Sequence, residues 1–176
     1  MFDQPYPYEF IKHEPAQRVA GYSFTTSLYR FKALDANGGY QVFLIIVEKY
    51  DCETYVVKFC RKADRHQDNA FTHMTNTPDA SRKIATVVQV MFDIFQENRL
   101  ASFGWIGAPD QVDGNPAHTR RFTVWSRVMN WLFSEEVFRH YTYAEQSAYL
   151  MHNIAASEQY PLARIEAIFK NVYPEL

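Results

Sequence analysis

The chain has 176 residues, 47% of them apolar and 22% charged, which is enough to bury one sizeable core in a single domain. Eighteen Lys and Arg against 20 Asp and Glu give a formal charge of −2, so no global basic field draws it onto nucleic acid or anionic lipid. Aromatics at 16% argue against disorder, six glycines exclude Gly-rich architectures, and the longest apolar run, Val42 to Val47, is too short to span a membrane.

Residues 1–18 are polar and broken by Pro5, Pro7 and Pro15. They read as an arm lying on the domain formed by 19–176, with Phe2, Tyr6, Tyr8 and Phe10 as anchors. From Val19 to Lys62 the apolar period is two. Tyr22, Phe24 and Thr26 alternate with polar positions, as do Tyr29, Phe31 and Ala33. Asn37-Gly38-Gly39 supplies residues that reach positive φ at little cost, the strongest hairpin signal in the chain. Gln41 to Glu48 is nearly continuously apolar, as a central strand would be. Tyr50 to Glu53 turns the chain into a third strand, Thr54 to Lys62, which completes an antiparallel meander.

Residues 63–78 carry no period and read as a long loop. Thr77-Pro78-Asp79 opens a helix, with Thr77 as its cap. Ile84, Val87, Val88, Met91, Phe92 and Phe95 give that helix one apolar face, and Glu97-Asn98 ends it. Ala101 to Ile106 is a short strand, and 107–118 a second loop. Thr119 caps another helix, whose stripe is Phe122, Trp125, Met129 and Leu132 with Val128 and Trp131 beside it. Residues 138–156 fit either a hairpin or a helix. Pro161 to Val172 is amphipathic, with Ile165, Ile168, Phe169 and Val172 facing inward. Strands first and helices interspersed later predict an α+β fold, an N-terminal antiparallel β-meander with two or three helices packed on one face of the sheet.

The candidate chemistry is local. Arg120 and Arg121 occupy the first turn of a helix, where the dipole prefers acids, and His118 precedes them. With Arg82 and Lys83 at the start of the previous helix they form a candidate anion site. Arg61, Lys62 and Arg65 would extend it into a basic rim. That Arg120 and Arg121 pair with Asp110 or Asp113, or simply point into solvent, is the competing reading, and the more economical one. No Gly-rich cradle with GKS or GKT is present, nor GxSxG, HExxH or CxxC. His66 and His73, seven apart, are weak metal candidates, because that spacing matches neither a helix nor a strand pair. Cys60 beside Arg61 and His66 is a weak candidate nucleophile. No metal and no cofactor is expected. Cys52 and Cys60 are too few for a disulfide framework, and the N-terminus lacks a signal-peptide pattern, so the cytoplasm is the default.

The order of the aromatic meander YRFKALDANGGYQVFLIIV, the helix RKIATVVQVMFDIFQEN and the arginine-led helix TRRFTVWSRVM resembles small uncharacterised bacterial proteins of the domain-of-unknown-function kind. The resemblance covers about the middle hundred residues and implies an α+β fold in a bacterial cytoplasmic protein. It carries no activity to transfer. Tyrosine with arginine is the composition of protein interfaces. The expected function is therefore non-enzymatic binding, to another protein or to itself as a homodimer through a sheet edge or a Tyr-rich face. A nucleic-acid-binding accessory role through the Arg82 to Arg121 rim is the alternative, and a small enzyme comes third.

Overall fold

The computed structural model describes residues 4–34, 37–67, 70–71, 79–106 and 120–173, except for the side chains of 120 and 121. Its strands are β1 (Tyr8–Val19), β2 (Tyr22–Leu34), β3 (Tyr40–Tyr50), β4 (Thr54–Arg61), β5 (Ser102–Ile106), β6 (Phe138–Tyr143) and β7 (Ala148–Asn153). Its helices are α1 (Ala80–Glu97), α2 (Arg120–Leu132) and α3 (Leu162–Val172). The strands make one sheet in the order β1-β2-β3-β4-β5-β7-β6. Every neighbouring pair is antiparallel except β4 and β5. A parallel pair needs a crossover, and α1 lies in it.

The N-terminal meander is present, with one strand more than expected. Residues 8–19, read as an arm, form β1, an edge strand paired along β2 from Tyr8 opposite Phe31 to Val19 opposite Tyr22. Ala20 and Gly21 join the two strands, both at positive φ (50° and 87°), as a two-residue hairpin turn requires. Between β2 and β3, Gly38 adopts φ 81°, as the Asn-Gly-Gly signal implies. Residues 138–153 resolve as the β6–β7 hairpin, with a single 3-10 turn between the strands.

The two faces of the sheet are covered differently. Phe31, Phe43, Ile45, Val57 and Phe103 share a buried cluster with Val87, Val88 and Met91 of α1 and Phe122, Trp125 and Met129 of α2. Phe24, Tyr50, Val56 and Leu150 alternate with that set and cluster instead with Ile165 and Ile168 of α3. The strand period of two thus places α3 on the face opposite α1 and α2. Phe169 docks α3 at Gly104, where a Cβ would lie 2.1 Å from the ring's Cζ. Leu28, Leu44, Ile46 and Cys60 continue this second face under Ala70 and Phe71. Phe92 and Phe95, expected in the core, are half-buried and packed against the first cluster. No helix among the described residues is long and apolar enough to cross a membrane.

Candidate protein-interaction edge

β1 has no second strand beside it among the described residues, so one row of its N–H and C=O groups faces away from the sheet. Ten of its twelve residues are exposed. Phe10 and Ile11, adjacent in sequence, stand 48% and 40% exposed.

The strand carries two bulges, one between Phe10 and Lys12 and one between Glu14 and Gln17. Tyr8, Phe10 and His13 lie opposite Phe31, Tyr29 and Ser27 and share the α1 face. Glu9, Lys12 and Glu14 lie opposite Arg30, Leu28 and Thr26 and share the other. The inserted residue, Ile11, therefore shifts the alternation by one. Phe10 packs edge-on to Tyr29 at 5.5 Å and lies 4.7 Å from the His13 ring. Glu9 pairs with Arg30, and Lys12 approaches Glu14 at 3.6 Å.

The strand is held firmly from its N-terminal side. Tyr6 donates its backbone N–H to Thr86 Oγ1 at 2.8 Å and its hydroxyl to Asp79 at 2.5 Å. Tyr8 donates its hydroxyl to Asp93. Burial, then the Asp93 carboxylate, pushes the Tyr8 hydroxyl far above its ordinary range, so it stays a donor. Lys83 is fully buried below this contact. Its ammonium donates to Asp79 at 2.9 Å and to the Leu34 carbonyl at 2.7 Å, and sits 4.9 Å from the Phe43 ring centroid. On the other face the Arg65 guanidinium holds the Glu14 carboxyl below its usual range.

These contacts reassign most of the basic rim. Lys83 is committed to Asp79, and Arg82 stacks 3.9 Å over the Tyr6 ring while donating to the Gln4 carbonyl at 3.0 Å. Arg61 pairs with Asp64, and Arg65 with Glu14. Arg120 and Arg121 do open α2, while their side chains, together with His118, Asp110 and Asp113, lie outside the described residues. The candidate anion residues are thus not brought together in what is described. The burial of Lys83 was legible in its spacing, because it shares a helical stripe with Val87 and Val90.

His66 is exposed, and His73 lies outside the described residues. Among the described residues no three His, Cys, Asp or Glu side chains come together. Burial pushes the Cys60 thiol up to about 11, so near neutral pH it is a thiol and a poor nucleophile.

One polar network escaped the sequence reading because its members are distant in sequence. His140 Nε2 lies 3.0 Å from the Phe133 carbonyl, which only accepts, so Nε2 carries the proton. Nδ1 then accepts from the Tyr149 hydroxyl at 2.7 Å, and Asn130 donates to that hydroxyl at 2.7 Å. This network closes on itself and ties α2 to β6 and β7.

No family model matches the chain, and no curated protein and no solved structure is found similar to it.

Proposed function

We propose that the chain is a cytoplasmic, non-enzymatic protein-binding protein, and that it binds by taking a partner's strand along the outer edge of β1. The observation that carries this reading is a twelve-residue edge strand, exposed over most of its length, with Phe10 and Ile11 at 48% and 40% exposure in the middle of a polar run. A docked strand would satisfy the outward N–H and C=O groups and cover those two side chains. The Tyr6, Tyr8 and Glu14 contacts fix the strand beforehand, so little order is lost when a partner arrives. Nucleic-acid binding is the weaker reading, since Arg61, Arg65, Arg82 and Lys83 already hold internal partners.

A photo-crosslinking residue placed at position 10 tests this in the native cytoplasm, with position 40 as the control. Tyr40 is 73% exposed and lies away from the β1 edge. Protein adducts are expected at position 10 well above those at position 40. Equal yields at the two positions overturn the reading.

A further inference from the structure

Resting on the reading of β1 as a docking edge, we propose that the strand it accepts is β1 of a second copy of this chain, antiparallel and centred between Phe10 and Ile11. The first bulge makes this pairing work. A two-fold axis perpendicular to the sheet and centred there sets Glu9 against Lys12 of the second copy and Tyr8 against His13 of the second copy. In a regular strand, residues an odd number apart point to opposite faces, and such a register would oppose mismatched side chains. β1 is not regular. Its extra residue puts Glu9 and Lys12, three apart, on the same face, opposite Arg30 and Leu28. It likewise puts Tyr8 and His13, five apart, together on the other face, opposite Phe31 and Ser27. The strand is therefore complementary to itself in charge and in side.

The chemistry along the register agrees. Glu9 and Lys12 keep their side chains 61% and 57% exposed. Each has only a surface ion pair to yield, and a carboxylate has acceptor sites for both Arg30 and an incoming ammonium. Each copy contributes one Glu9 and one Lys12, so the contact is made twice. Phe10 meets Ile11 of the second copy at the centre, which removes the exposed apolar pair from water. Pro7 and Pro15 bracket the paired segment and lack the N–H that would extend it, which fixes its length. An edge contact of this kind belongs to the small interfaces, below about 1,200 Å², so the dimer is expected to be weak and reversible, in the micromolar range.

Sedimentation velocity from about 1 to 500 μM brackets that range and tests the inference through charge reversal. Wild type should shift from monomer to dimer across the series. Glu9→Lys gives each copy two lysines at the contact and Lys12→Glu gives two glutamates, so each variant alone should dimerise about tenfold more weakly. An equimolar mixture of the two restores opposite charge at both contacts and should recover dimer at wild-type strength. That recovery also shows that both variants are folded. A wild type that stays monomeric throughout, reversals that change nothing, or a mixture that fails to recover overturns the inference. If wild type is monomeric yet crosslinks from position 10 to a different protein, the second-copy inference fails and the edge reading stands. If neither dimer nor adduct forms, both fail.

Discussion

Gly104→Ala separates a local preference from a packing constraint. Glycine inside a strand is less stable than alanine by about 0.5–1 kcal/mol, so propensity alone predicts that the substitution stabilises β5. Packing predicts the opposite. The new Cβ would lie 2.1 Å from Cζ and 2.7 Å from Cε1 of Phe169, where carbon atoms ordinarily stay about 3.5 Å or more apart. The ring would have to retreat by roughly 1 Å or more, which lifts α3 from the cluster formed by Val56, Leu150, Ile165 and Ile168. Overpacking of this size costs about 1–3 kcal/mol, so the net loss should be about 1–2 kcal/mol. Urea unfolding should show it as a lower midpoint with an unchanged slope. In a Phe169→Ala background the obstacle is gone, and the same substitution should be neutral or stabilising. A Gly104→Ala protein as stable as wild type, with Phe169 intact, would refute the placement of α3 on this face.

Two further outcomes follow from buried charge and buried imidazole. Asp79→Ala removes the carboxylate that pairs with the fully buried Lys83 ammonium and accepts from the Tyr6 hydroxyl, and should cost about 3–5 kcal/mol in chemical denaturation. Burial lowers the pKa of His140 and of His152, whose Nε2 meets the Tyr160 carbonyl at 2.8 Å, so the unfolded chain binds protons more readily than the folded one below the ordinary histidine value of 6.5. Their contribution is complete above that pH and is lost as pH falls through the lowered folded values. The melting temperature should therefore drop on acidification from pH 7.5, and His140→Gln with His152→Gln should flatten the drop.

The legible parts of the fold were those whose burial leaves a pattern, an alternation where one face is wet and an unbroken apolar run where neither is. β2 alternates strictly over Phe24, Thr26 and Leu28, and β3 reads as a continuous apolar run because it is covered on both sides. β1 was not legible. A strand open to solvent on both faces has no apolar alternation to read, and Pro15 looked like a breaker although an edge strand tolerates it. The Ala20-Gly21 turn was also silent, since alanine at positive φ is no recognised turn residue. For α3, amphipathicity revealed that Ile165 and Ile168 are buried but not against which face, because a helical stripe carries no information about its partner. The candidate edge was legible only in outline. Composition allowed a sheet edge or a Tyr-rich face without choosing between them, Phe10 was one of four aromatic anchors of an arm, and the self-complementary spacing of Glu9 and Lys12 exists only once the bulge at Ile11 is known.

Amide hydrogen exchange of residues 8–14, followed by mass spectrometry as the protein is concentrated, reads the edge directly. If copies pair through β1, exchange in this segment should slow as concentration rises, while the Ala20-Gly21 turn in the same molecules stays unchanged. Exchange at 8–14 that does not depend on concentration, in a sample that sedimentation shows to be dimeric, would place the interface elsewhere and contradict the account.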